Sequence, residues 1–329
     1  MIMGRVADCR DEEKAAVTTN RHFVMRREHA PGRYTCNCMY PYLNLGFWHP
    51  GTFGLLLWLA AVCATVVLHY NFKRNGVDAD ALNVVALSVV AGIVGAKLWH
   101  ELQNPHELVA AWRQILVPGR AHPFEVVKSF LIWFQAGFAW FGGLLAAIAV
   151  LMWQGVASKP NGLRGHWAAV RMLDLAAPAA ALGYGVGRIG CLLSGDGDYG
   201  INTTLPWGVH MAKDALVPPN PPNALVQPTP IYELLFAVVL AWWLWKRASR
   251  PRPLGFITGE YLALSGVGRF LVEFVRINPR IYFGHTMSNA QVAALGSVVV
   301  GAIIMFVTRH NEAVVPQPLP NALQKPAAA

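Results

Sequence analysis

The sequence predicts an all-α integral membrane protein: seven transmembrane helices, with one long outer loop between spans four and five. Three observations carry that expectation. Of 329 residues, 54% are hydrophobic and only 14% are charged, against about 25% charged in ordinary soluble domains. Several of the 12 tryptophans lie near the ends of apolar runs, as aromatic side chains do at the two faces of a bilayer. Seven runs approach the roughly 20 apolar residues that a helix needs to cross the hydrocarbon core.

These runs are 52–70, 82–103, 133–153, 168–190, 230–246, 254–275 and 287–308. Gly and Pro interrupt several of them, which membranes tolerate when neighbouring helices satisfy the freed backbone groups. Span two ends in GAKLWHEL, with Lys97, His100 and Glu101 at its terminus. Span three carries Gly142 and Gly143, and span four carries Gly183 and Gly187; small residues of this kind allow close helix packing. Span four ends on Arg188, followed at once by a Gly- and Asp-rich turn with Asp196 and Asp198. Span five opens in QPTPIYELL, where Pro at a helix start is usual and Tyr232 and Glu233 fall in the first turns. Span six carries GRFLVEFVR, with Arg269, Glu273 and Arg276.

Orientation follows from the connections. One side collects Lys73, Arg74, Lys159, Arg164, Lys246, Arg247, Arg250, Arg252 and Arg309. The long loop over 191–229 holds a single basic residue, Lys213. Positive charge marks the cytoplasmic side, so the N-terminus and the long loop are expected outside and the C-terminus inside. Arg113, Arg120 and Lys128 fall on the outer side and reduce the contrast. The net charge of +9 lies mostly between apolar runs, which favours anionic headgroups as partners over nucleic acid. Residues 1–38 are charged and lack an apolar core. They read as an unstructured extension or an upstream start, not as a signal peptide. The transmembrane domain is expected over 39–310, with an unstructured Pro- and Ala-rich cytoplasmic tail over 311–329. None of the five cysteines forms a C-x-x-C pair, so no disulfide framework, metal site or cofactor is expected.

An arginine in a membrane helix costs about 2.5–3.5 kcal/mol on insertion scales. Arg188 alone could reach for headgroups, and Arg269 with Glu273, one i, i+4 step apart, could be a purely structural ion pair. Together, two arginines facing one cavity suit an anionic headgroup, because the guanidinium fork matches phosphate. Glu233 could favour its helix N-terminus or orient an arginine. Asp196 and Asp198 could cap turn N–H groups.

GRIGCLLSGDGDYG, QPTPIYELL and GRFLVEFVR, in this order across seven spans, resemble the bacterial prolipoprotein diacylglyceryl transferase family. GFAWFGGLLA, GIVGAKLWHEL and LNLGFWHPGTFGLLL resemble further family motifs, and the match covers roughly 39–310. The resemblance implies an inner-membrane enzyme with the long loop in the periplasm and membrane lipids around it. Such an enzyme moves the diacylglyceryl group of phosphatidylglycerol onto the lipobox cysteine of a prolipoprotein, and glycerol phosphate leaves.

Residue by residue, Arg188 matches the signature arginine, Gly200 the closing glycine and Arg269 the second arginine. The resemblance implies Arg188 and Arg269 as catalytic, and the expected catalytic set adds His100 and Asp196. Substrate contacts are expected from Gly187, Gly200, Tyr232, Glu233, Lys97 and Glu273. The chain departs from the family pattern elsewhere. Phe141 stands where members usually carry His, Cys191 where they carry Asn, and Asp196 where they carry Glu. Phe53 and Ser265 stand where they carry Tyr. The phosphate-binding half is kept and the proton-handling half is changed, so His100 and Asp196 are the candidates for the missing base. A related enzyme with another acceptor and a lipid-binding protein or transporter are the alternatives. The absence of a repeat between halves counts against transport.

Overall fold

The computed structural model describes residues 42–43, 46, 50–116, 123–134, 139–195, 199–210 and 224–315. The extension over 1–38, Asp196, Asp198, all of 211–223 and the tail over 316–329 lie outside the described residues.

The fold is all-α. Nine helices are described: α1 (Thr52–Asn75), α2 (Ala81–Gln103), α3 (Pro105–Leu116), α4 (Pro123–Phe134), α5 (Trp140–Ser158), α6 (Gly165–Ser194), α7 (Thr229–Ala248), α8 (Phe256–Val272) and α9 (Asn289–Thr308). Five of them, α1, α2, α5, α6 and α9, are long and apolar enough to cross a membrane. Their outward faces expose large apolar side chains such as Trp58, Leu82, Trp153 and Phe306, a surface suited to lipid tails and costly in water. The chain is thus a multi-pass membrane protein by its helices.

Helix ends follow local chemistry. Gly76 closes α1 in the left-handed region at φ 65°, with Lys73 and Arg74 in the last turn, where cations favour the helix C-terminus. The Asp80 side chain caps α2 by accepting from the Leu82 N–H at 2.9 Å. The third apolar stretch differs from expectation. The run read as 133–153 is interrupted at Ala139, whose extended backbone precedes the start of α5 at Trp140; residues 135–138 lie outside the described residues. Aromatic residues fill both sides of that break, so hydropathy alone runs through it. α6 also outlasts its expected end at 190 and reaches Ser194, where Gly195 at φ 76° stops it. Arg188 therefore sits on the wall of α6 rather than at its tip.

α6 is the central post. It packs against α1, α5, α7 and α8, while α2 packs on α5 and α9 on α8. Its residues enter two apolar clusters: Met172, Leu175, Ala176 and Ala179 with Leu68 and Phe72 of α1, and Ala177 and Ala181 with Leu240 and Leu244 of α7. The Gly-Gly pair of α5 packs as expected. A Cβ on Gly142 would collide with the Gly95 carbonyl oxygen and with Trp99 Cβ. The Gly183/Gly187 expectation is corrected. A Cβ at Gly187 would meet only Leu57, at 3.9 Å, and one at Gly183 would make ordinary contacts. On this helix the close approaches fall at Gly185, against Ala237, and Gly190, against Phe53.

Three two-stranded antiparallel ribbons complete the structure: β1 (Val209–His210) with β2 (Leu225–Val226), β3 (Arg252–Pro253) with β6 (Ala313–Val314), and β4 (Arg280–Tyr282) with β5 (Met287–Ser288). The β3–β6 ribbon corrects the expected start of the tail at 311. The chain returns there to pair, and the Asn311 side chain donates to the Leu254 carbonyl at 2.9 Å.

Candidate active site

Where α6, α7 and α8 meet near one end of the bundle, five charged side chains converge. Glu233, on the second turn of α7, is the hub. One of its oxygens accepts from Arg269, and the other lies 2.8 Å from Arg188 Nε and 3.7 Å from Arg276 Nη1. Glu273, just past the end of α8, is the second hub. Its Oε2 lies 3.0 Å from Arg269 Nη2 and 3.6 Å from Arg276 Nε. The i, i+4 reading of Arg269 and Glu273 is therefore realised. Arg188 packs 4.9 Å over the Tyr184 ring, and its Nη1 donates to Cys191 Sγ at 3.5 Å.

Burial divides this cluster in a way that matters chemically. Glu233 and Glu273 are 4% and 3% exposed, whereas the Arg188 and Arg269 side chains keep 17% and 24%. The carboxylates lie underneath and the two guanidiniums reach the surface. Three guanidiniums on two carboxylates leave one excess positive charge among the described residues. Such a site can hold a monoanion with forked donors. Among the described residues, no group of three or more His, Cys, Asp and Glu is placed to hold a metal ion.

The segment after α6 seals this corner. The Tyr199 hydroxyl donates back to the Leu192 carbonyl at 2.7 Å. Gly200 then bridges to Arg276 as an isolated antiparallel pair and donates its N–H to the Gln227 carbonyl at 2.9 Å. A Cβ at Gly200 would lie 2.6 Å from the Val275 carbonyl oxygen, so only glycine lets the three backbones meet. Gly200 is a point of close approach that fixes the stretch carrying Arg276. Tyr232 stands nearby on α7 and accepts from the Trp207 indole N–H at 2.7 Å.

Lys97, Glu101 and His100 belong to a different polar group, on α2. Lys97 and Glu101 pair at 2.9 Å, both buried. Lys97 also donates to the Trp133 carbonyl at 2.8 Å and lies 4.3 Å from the centre of its ring, which ties α4 to α2. His100 Nε2 lies 3.8 Å from Glu107. Phe141, half exposed at the start of α5, is on the turn that meets this part of α2 through Gly142 and Trp99.

The structure thus brings Arg188, Arg269, Glu233 and Glu273 together and adds Arg276, to which the sequence reading attached no role. It sits three residues beyond Glu273, a spacing that keeps it on the same face. Two further partners, Asn278 and Ser288, reach Glu273 from the following loop, and no local pattern announces that contact.

A family model described as prolipoprotein diacylglyceryl transferase matches residues 42–307. A relative from Clostridium tetani, named phosphatidylglycerol–prolipoprotein diacylglyceryl transferase, is 29% identical over 264 residues, covering 79% of this chain and 94% of its own. A relative of the same name from Methylibium petroleiphilum is 32% identical over 228 residues, covering 68% of this chain and 75% of its own. One from Clostridium perfringens is 27% identical over 257 residues, covering 78% and 89%.

Proposed function

The chain belongs to the prolipoprotein diacylglyceryl transferase family, and from that premise we propose that it moves the diacylglyceryl group of phosphatidylglycerol onto the lipobox cysteine thiol of prolipoproteins. The observation that carries this reading is the disposition of charge at the α6–α7–α8 corner: two carboxylates buried beneath two arginines that reach the surface, with a third guanidinium behind them. The thiol sulfur attacks the glycerol carbon bearing the phosphate ester. A C–S bond forms as the C–O bond breaks, and the electron pair leaves on oxygen as glycerol phosphate. The lipid phosphodiester carries one negative charge and the departing monoester approaches two. Fixed positive charge therefore stabilises the transition state more than the bound lipid. Arg188 and Arg269 supply the forks, Glu233 and Glu273 hold them, and Gly200 fixes the segment behind Arg276. Gly187, Tyr232 and Lys97 are assigned to substrate contact.

The thiol proton needs an acceptor, and the phenyl ring of Phe141 is none. His100 takes this role, with Asp196 as the second candidate. The approach of Gly142 to Trp99 supports His100, because it sets the Phe141 turn against the turn of α2 that precedes His100. An imidazole also exchanges protons near neutral pH more readily than a carboxylate. α7 and α8 complete a count of seven spans, in the bacterial inner membrane. The arginine cluster and the long loop then face the periplasm with the N-terminus, and the C-terminus faces the cytoplasm. The alternation of the helices supports this reading, since Arg188, Glu233 and Arg269 lie toward one end. The signal peptide of the prolipoprotein and the surrounding lipids are the partners.

The test is transfer by the purified chain in nanodiscs containing phosphatidylglycerol, with a lipobox peptide as acceptor. Thioether product and an equal amount of glycerol phosphate are expected. Glycerol phosphate without thioether would point to another acceptor, and neither product would remove the reading.

A further inference from the structure

Ser288 is 2% exposed and forms the N-cap of α9. Its oxygen accepts from the Gln291 N–H at 3.2 Å, and the Gln291 side chain accepts from the Ser288 N–H at 3.0 Å, a complete capping box. An N-cap uses only the acceptor side of a hydroxyl. The hydroxyl proton is left for something else, and here it goes to Glu273 Oε1 at 2.8 Å. Asn278 donates to the same oxygen at 2.5 Å. The other oxygen of Glu273 faces Arg269 and Arg276.

The two carboxylates of the cluster are therefore held differently. Both oxygens of Glu233 face guanidiniums, so Glu233 can shift with them. Glu273 has one oxygen pinned by neutral donors from a separate helix and loop, and so serves as a fixed reference for the guanidinium on its other oxygen. We propose that Ser288, together with Asn278, is a positioning residue for the anion site: through Glu273 it fixes the fork of Arg269, and with it the affinity for the lipid phosphate. This rests on the assignment of the arginine cluster to that phosphate.

Three variants separate positioning from capping. Ser288→Gly removes the hydroxyl but keeps most of the cap, because glycine is a fair N-cap; Ser288→Ala removes both; Ser288→Thr keeps both. The readouts, on purified protein in nanodiscs, are the Kd for glycerol phosphate, the KM values for phosphatidylglycerol and for the lipobox peptide, and the thermal midpoint. Gly and Ala should each raise the glycerol phosphate Kd and the phosphatidylglycerol KM about tenfold, the scale of one hydrogen bond to a charged group. The peptide KM should stay unchanged, Thr should restore the affinity, and Ala should lower the midpoint more than Gly. Affinity that instead tracks the midpoint, with Ser288→Gly binding like wild type, would overturn the proposal. A wild-type protein that binds glycerol phosphate but forms no thioether would refute the transferase reading alone, with the Kd series still deciding the role of Ser288. A wild-type protein that does not bind it would sink both.

Discussion

Toward one end of the bundle, Arg171 donates to Asn75 Oδ1 at 2.8 Å and to Asn161 Oδ1 at 3.0 Å. Asp174, one turn on, accepts from the Gly255 N–H, the Thr258 N–H and the Thr258 hydroxyl at 2.7–2.8 Å. Both are nearly inaccessible, at 4% and 1% exposure. Toward the other end, Arg188, Arg269 and Arg276 share Glu233 and Glu273, and two of the arginines remain partly exposed. The residue types are alike and the outcomes differ. In the first group, each charge is hydrogen-bonded by oriented neutral groups, with the opposite charge one turn away on the same helix, and the result fastens α1, α6 and α8. In the second, charge meets charge, three guanidiniums to two carboxylates among the described residues, and two of the guanidiniums keep part of their surface exposed.

The largest effect that would break this comparison is at Arg188. Arg188→Lys keeps the charge and loses the fork. Transfer should fall by about 10²–10³-fold, the scale of losing one preorganised donor, with thermal stability close to wild type. Full activity in a lipidation assay would show that forked recognition is not what the exposed arginines do. Next in size is His100→Ala. If the α2 polar group completes the same site, the single-turnover rate should drop about 10²-fold while the affinity for glycerol phosphate holds. An unchanged rate and pH profile would confine the site to the arginine corner and leave Asp196 or simple thiol ionisation.

At the fastened end the effects should fall on stability instead. Asp174→Asn weakens the acceptor for three donors and should cost about 1–3 kcal/mol in detergent-micelle unfolding, with turnover per folded molecule unchanged. Loss of turnover without loss of stability would erase the distinction between the two ends. The smallest expected effect is at Asn161. It holds Arg171 and donates to the Asn75 carbonyl at 2.7 Å, so Asn161→Ala should cost about 1 kcal/mol, again in unfolding and not in turnover.

Much of this was legible in the sequence, but unevenly. Apolar runs announce helices because lipid demands them: each of the seven expected runs overlaps a helix, and five of those helices are long and apolar enough to cross a membrane. Their ends are less legible. The interruption at Ala139 is hidden because aromatic residues flank it, and the extension of α6 to Ser194 depends on where a glycine turns left-handed. At the site, Arg269 and Glu273 were legible because a helix repeats every few residues. The capping box Ser288-x-x-Gln291 is equally local. What could not be read is which chain each polar group meets. Glu233 bridging Arg188 and Arg269, and Ser288 donating to Glu273, join residues from different helices whose pairing is set by packing around α6. The same limit hid the role of Arg276, whose spacing was visible but whose second partner, Glu233, is on α7.

The central claim is that the exposed arginines hold the phosphate of a diacylglyceryl donor. Its most direct test is the mass of a reporter lipoprotein in cells depleted of their own transferase and supplied with this chain. Wild type should add the mass of one diacylglyceryl unit to the reporter cysteine, and Arg188→Lys, present at the same level in the membrane, should add none. An unmodified reporter with wild type, or a fully modified one with Arg188→Lys, would contradict the claim.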